Sequence, residues 1–202
     1  MSKKFESKEN EKELRNLFDI QEFKRLEELI KQTHATGLRK QFIDELLSLP
    51  GLHVHNASKI TGRRLIAPFK EFRHSHEKMT GCKILDKGYD VLFVPEAFFP
   101  TTSKKFDVML CKDHVFLRAD LKRLETQNPD TIAKRIHAGS TQASRIVLDI
   151  VSDIEKKDLI DGLTSGCERN TELVEIILFY RSRCYFLPKA KILNRRLKEL
   201  GL

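Results

Sequence analysis

Lys105-Phe106-Asp107-Val108-Met109-Leu110-Cys111, followed after Lys112-Asp113-His114 by Val115-Phe116-Leu117-Arg118-Ala119-Asp120-Leu121-Lys122, is the stretch that decides the reading of this chain. The two halves are expected to pair as a β-hairpin. A two-residue turn at Asp113-His114 sets Asp107 opposite Asp120. A turn centred on Lys112-Asp113 sets Asp107 opposite Arg118 instead, with Asp120 one diagonal step away. Neither turn has a glycine to supply positive φ, so both registers stay open. The faces sort the same way in either, because strand side chains alternate with a period of two. Phe106, Val108, Leu110, Val115, Leu117, Ala119 and Leu121 share one side. Asp107, Met109, Cys111, Phe116, Arg118, Asp120 and Lys122 share the other.

Directly opposed positions lie ~5 Å apart at Cβ, and two carboxylates at that spacing repel unless a positive group lies between them. A hard divalent cation takes carboxylate oxygens. Lys122 projects to the same side as Asp120, where it suits holding an attacking water or a transition-state oxygen. The set points to metal-assisted phosphodiester hydrolysis. The plainer alternative is a solvated strand face, although Met109, Cys111 and Phe116 make this face less polar than that. A third outcome is a structural ion pair of Arg118 with Asp107 or Asp120.

With 202 residues, 40% hydrophobic and 33% charged, the chain has room for one large domain, or for one ordinary domain with an appendage. The composition is that of a globular protein with a core. No apolar run approaches ~20 residues, so no membrane span is expected. The lysines at Lys3 and Lys4 have no apolar stretch behind them, which argues against a secretory signal and for a cytoplasmic location. Cys82, Cys111, Cys167 and Cys184 form no CxxC pair and read as reduced thiols. The net charge of +8 favours polyanionic partners, nucleic acid first. Much of the excess lies near the C-terminus, in Arg181, Arg183, Lys189, Lys191, Arg195, Arg196 and Lys198.

Residues 1–66 read as a helical N-terminal region and 67–202 as an α/β (α+β) domain, a mixed sheet flanked by helices. Leu14, Leu17, Phe18, Phe23, Leu26, Leu29 and Ile30 recur at helical spacing, as do Leu38, Phe42, Leu46 and Leu47. His53-Val54-His55 reads as a short strand, whose two histidines lack a third metal ligand nearby, and Gly62-Arg63-Arg64 as a basic turn. A helix is expected from Phe69 to about Leu85, stopped by Asp86-Lys87-Gly88. A strand follows at 89–94, then a loop at 95–103. Asn128 and Pro129 read as N-cap and first position of a helix reaching about His137. Gly139-Ser140 is expected to interrupt it, with a short helical piece through Ala143. Arg145–Val151 reads as a buried strand, 156–163 as a helix, 173–180 and 183–187 as a strand pair, and 189–200 as a basic helix.

This order resembles the core of the PD-(D/E)XK, or restriction-endonuclease-like, nuclease superfamily. The matching residues are Asp107 and Asp120-Leu121-Lys122. Glu77 stands on the preceding helix in His76-Glu77-Lys78-Met79, where the resemblance implies a further metal ligand. It implies a supporting role for Gln142 in Thr141-Gln142-Ala143-Ser144. Gly88-Tyr89-Asp90-Val91, Ile132-Ala133-Lys134-Arg135-Ile136 and Ile146-Val147-Leu148-Asp149 add a narrower likeness. It is to the C-terminal tRNA-nuclease toxin domains of contact-dependent growth inhibition proteins, with related domains in mobile-element and phage proteins. Phe106 stands where a proline is usual, and Asp120 where glutamate is commoner.

The resemblance implies a metal-dependent endonuclease acting on RNA, with tRNA foremost and RNA ahead of DNA. Asp107, Asp120 and Glu77 would hold Mg²⁺ or Mn²⁺, with Zn²⁺ a further candidate. Lys122 and Gln142 would complete the catalytic set, and Lys134, Arg135 and Arg145 would contact the backbone. A toxin would be matched by an acidic immunity protein. The alternatives are a non-catalytic nucleic-acid-binding accessory protein with a degenerate nuclease fold, and a metal-independent ribonuclease using His114, His137 or Lys122.

Overall fold

The computed structural model describes residues 52–67, 72, 75–94, 106–112, 115–194, 197 and 201–202. These residues are α+β, with eight strands and four helices, and they divide into two compact units between Leu117 and Arg118. The helices expected in residues 7–49, the loop at 95–103 and the turn at Asp113-His114 lie outside them.

In the first unit the elements are β1 (His53–Ala57), β2 (Arg64–Ala67), α1 (Ser75–Leu85), β3 (Asp90–Phe93) and β4 (Val108–Lys112). β1 runs antiparallel to β2, β2 parallel to β3, and β3 antiparallel to β4. β2 begins inside the stretch read as a basic turn. The carboxylate of Asp90, 2% exposed, explains this. Its Oδ1 accepts from the backbone N–H of Arg64 at 2.8 Å, and its Oδ2 meets Nη1 of Arg63 at 3.2 Å. One buried charge thus holds the start of β2 beside the start of β3. α1 starts at Ser75, and Phe72 lies outside it. Gly81 belongs in the helix because it faces the sheet: a Cβ there would stand 2.8 Å from Cδ1 of Leu65. Gly88, at φ +87°, follows the helix as expected.

The second unit continues along β5 (Val115–Leu124) into α2 (Pro129–Ser140), β6 (Arg145–Ile150), α3 (Lys156–Glu168), β7 (Glu175–Tyr180), β8 (Arg183–Pro188) and α4 (Lys189–Leu193). β5, β6 and β7 are parallel, each pair of neighbours joined by a helix. β8 returns antiparallel through Arg181 and Ser182, both at positive φ. That conformation matches the twist of a two-residue hairpin. Asn128 caps α2 as read from the sequence, accepting from the Asp130 N–H at 2.8 Å with Pro129 next in line. α4 ends at Leu193, with Asn194 as its C-cap. Most of the remainder of the expected basic helix lies outside the described residues.

The core of this unit joins Leu124, Ile146, Leu148, Ile150, Ile176 and Leu178 of the strands to Ile132 and Ile136 of α2 and Leu159, Leu163 and Cys167 of α3. Asp120, Lys122 and Leu124 alternate onto one face of β5, and their partners on β6 are Ile146, Leu148 and Ile150. Asp120 therefore belongs to the helix-covered face of the sheet.

Two glycines set the closeness of the helices. α3 runs five residues past the expected end at Leu163, because Gly162 and Gly166 serve as contact surface. A Cβ on Gly162 would come 2.8 Å from the carbonyl oxygen of Pro129 and 2.9 Å from Cβ of Ile132. A Cβ on Gly166 would come 2.8 Å from Cδ1 of Ile136. Alanine at position 162 would gain helix propensity of up to ~1 kcal/mol but would be overpacked against backbone. Gly162→Ala is expected to lower the unfolding free energy by about 1–2 kcal/mol in urea titration, whereas Thr164→Ala on the same helix changes it by less than ~0.5 kcal/mol.

Candidate active site

Asp120 has no exposed surface. An aspartate is poorly suited to the inside of a parallel strand, and a buried carboxylate needs compensation. Lys122, two residues along the same face, provides it: its Nζ forms an ion pair with Oδ2 of Asp120. The Lys122 side chain is 18% exposed, so the pair reaches from the interior to the surface. The alternation read from the sequence puts these two groups together, while the solvated-face alternative fails at Asp120.

The last turn of α2 closes the other side. Gly139 packs so tightly here that a Cβ would stand 2.7 Å from Oδ2 of Asp120 and 3.1 Å from Cδ1 of Ile146. This explains why the helix does not break at Gly139-Ser140, contrary to the sequence expectation, and runs through Ser140. Its glycine is needed for the approach of a helix end to a carboxylate. Gln142 lies in the turn beyond and is not helical; its N–H donates to the carbonyl of Gly139 at 2.9 Å. The Ala143 N–H reaches the same carbonyl at 3.0 Å, and Oγ of Ser140 donates to the carbonyl of His137 at 2.9 Å. A helix C-terminus carries partial negative charge. Donors on these end carbonyls and the ammonium of Lys122 offset its repulsion of the carboxylate.

The remaining candidate residues are placed as follows. Asp107 is half-buried in the bend before β4, where its carbonyl accepts from the N–H of Val94 at 3.0 Å. Glu77 is half-buried in the first turn of α1. Both belong to the first unit, whereas Asp120, Lys122 and Gln142 belong to the second. Lys134 and Arg135 are exposed on α2. Arg145 faces Glu175 across β6 and β7, with Nε 3.4 Å from Oε2, so this candidate backbone contact already has a carboxylate beside it.

Two polar contacts escaped the sequence reading. Asp149 is 1% exposed near the end of β6 and meets Nη1 of Arg123 at 3.5 Å. Its signal was there, an aspartate closing the apolar run Ile146-Val147-Leu148. The other is His137 with Asn170, 33 residues apart, whose Nδ1 and Oδ1 lie 2.8 Å from one another; no local pattern announces it. His53 and His55 stand edge to face with ring centroids 6.2 Å apart. Among the described residues no three of His, Cys, Asp and Glu gather into a group that could hold a metal ion. Among the same residues no helix is long and apolar enough to cross a membrane.

Comparison with protein-family models, curated proteins and solved structures gives no match to this chain.

Removing the amine of Lys122 takes away the ion-pair partner of a buried carboxylate. Lys122→Ala is expected to cost about 3 kcal/mol of unfolding free energy, and the paired change Asp120→Leu with Lys122→Met to recover most of it. Urea titration of the three proteins checks this.

Burial pushes the Cys167 thiol from 9.0 up to about 12, against the lowering pull of Lys189 and with a smaller push from Glu168. Because the folded value lies above the unfolded one, the contribution is whole below about pH 9 and is lost as pH rises towards 12. Between pH 9 and 10.5 the wild type is expected to lose stability relative to Cys167→Ala by about 1.4 kcal/mol per pH unit, measured by urea unfolding.

Proposed function

We propose that this chain is a metal-dependent phosphodiesterase of the nuclease kind, with a restriction-endonuclease-like core, acting on RNA and foremost on tRNA. The observation that carries the reading is the wholly buried carboxylate of Asp120, ion-paired to Lys122 and packed against Gly139. A charge in a core position costs stability that an apolar residue would not, and such positions concentrate at functional sites. The element order supports it as well. The order α1, β3, β4 with Asp107 in the bend just before it, β5 with Asp120-Leu121-Lys122, α2 and β6 follows the helix, strand, two strands, helix, strand succession of that core. The net charge of +8 suits a polyanionic substrate and, for a toxin, an acidic immunity protein.

A divalent ion held by Asp120 would supply an acidified water and stabilise charge on the scissile phosphate. Mg²⁺ is satisfied by one or two carboxylates, with waters and substrate phosphate oxygens completing its shell. A site built on a buried carboxylate suits it, and Mn²⁺, better than Zn²⁺, which takes three or four protein ligands. Lys122 orients the attacking water or neutralises developing negative charge. Gln142 braces the turn beside Asp120. Lys134 and Arg135 contact the phosphate backbone.

A non-catalytic nucleic-acid-binding protein is the second reading. The Asp120–Lys122 pair favours it, because each group there already neutralises the other.

The test is incubation with tRNA and with duplex DNA in Mg²⁺, Mn²⁺ or EDTA, beside Asp120→Asn, Lys122→Met, Asp107→Asn and Glu77→Gln, each checked for folding by circular dichroism. The expected result is tRNA cleavage that EDTA abolishes and that Asp120→Asn and Lys122→Met slow by about 10²–10³-fold. Loss in Asp107→Asn or Glu77→Gln would bring those carboxylates into the mechanism. Cleavage that persists in EDTA or in Asp120→Asn contradicts the proposal. Tight tRNA binding without turnover selects the second reading.

A further inference from the structure

His137 is an exposed side chain held in one orientation by a buried one. Asn170 is 6% exposed, and all four of its polar groups are used. Its N–H donates to the carbonyl of Cys167 at 3.3 Å, and its side-chain amide donates to the carbonyl of Gly166. Its own carbonyl accepts from Nζ of Lys189. A carbonyl can only accept, so the group facing Gly166 must be the NH₂, and Oδ1 must face the histidine. The 2.8 Å contact is then Nδ1–H of His137 donating to Oδ1. Nε2 is left pointing away from this bond, on a residue that is itself exposed. Because Oδ1 accepts from Nδ1, the ring is held in one orientation and Nε2 is the nitrogen it presents outward.

Two cations accompany it. Lys189 donates from its ammonium to the backbone carbonyl of the same asparagine. Lys134 is exposed three residues before His137 on α2, and positions three apart share a helix face. Arg169, also exposed, precedes Asn170, while Glu168 and Glu172 are the carboxylates nearest in sequence. An oriented imidazole whose charged form donates from Nε2, with ammonium groups at Lys134 and Lys189 near it in the fold, matches an anion whose oxygens only accept, which is the chemistry of a phosphodiester.

We propose that His137, oriented by Asn170 and with Lys134 and Lys189 near it in the fold, binds a backbone phosphate of a polynucleotide. The inference rests on the reading of the chain as a protein that acts on RNA. It adds a contact on the outer side of the same last turn of α2 whose inner side, at Gly139, packs on Asp120. A strand passing the end of α2 would meet His137 outside the reacting centre, so His137 is a binding residue here.

The test separates binding from cleavage. A fluorescent single-stranded 12-nucleotide RNA is titrated in EDTA with the wild type, His137→Ala, Lys134→Ala and the control Lys157→Ala, which removes an exposed charge at the other end of α3. His137→Ala and Lys134→Ala are each expected to weaken binding about fivefold, the size of an exposed charge contact. Each should also reduce the slope of log K against log salt by ~0.7, while the control keeps both values. In the unaltered protein, RNA should shift the His137 Nε2 resonance in a long-range ¹H–¹⁵N spectrum, which holds even if a variant folds poorly. Absence of RNA binding by the wild type overturns the proposal. So does binding by His137→Ala and Lys134→Ala equal to that of the control, with the Nε2 resonance unmoved. An inactive enzyme that passes this test leaves the phosphate contact standing and removes only the catalytic reading.

Discussion

A carboxylate with no exposed surface, placed where a parallel sheet meets the end of a helix, is the constraint on which the second unit depends. Asp120 lies among Ile146, Leu148 and the other apolar residues of that face, so its charge has to be met locally. Lys122 meets it from the same strand. Position 139 must then be glycine, because a methyl group would stand 2.7 Å from the carboxylate oxygen. The last carbonyls of α2 must be occupied by donors, which Ser140, Gln142 and Ala143 supply. One residue thereby determines the choice of its strand neighbour, the packing of a helix end and the turn that follows.

Three other ion pairs of the described residues differ from this one. Arg63–Asp90, Arg123–Asp149 and Arg145–Glu175 each link neighbouring strands or their flanks, so each helps to fix a register. Asp120 and Lys122 are on one strand, two residues apart, and their pairing ties β5 to nothing else. The pair lies along one strand and buries a charge without bridging two strands.

Much of this architecture was legible because the signals are local. Alternation gave the sides of β5, Asn128-Pro129 marked the start of α2, and the apolar runs located β6 and β7. What escaped was carried by tertiary contact. Gly139 reads as a helix breaker, and only the carboxylate it touches shows why the helix tolerates it. The sequence predicts a helix only to about Leu163, whereas α3 runs to Glu168 with Gly162 and Gly166 as the surface on which it meets α2. β2 is too short to have a pattern of its own, and its start is held by Asp90 from 26 residues away. The site divides in the same way. Asp120 and Lys122 follow from a period of two, but the bond of His137 to Asn170 joins residues 33 apart. The hairpin turn at Asp113-His114, and with it the choice between two registers, lies outside the described residues.

The central claim is that Asp120 anchors a divalent cation beside the last turn of α2, and paramagnetic broadening tests it most directly. Substoichiometric Mn²⁺ is added to ¹⁵N-labelled protein and the backbone amide signals are followed. The account predicts selective broadening of residues 119–122 and 139–142, reversed by excess Mg²⁺ and absent in Asp120→Asn. Broadening centred elsewhere, or the same broadening in Asp120→Asn, would contradict it and leave the pair with Lys122 as a feature of the core alone.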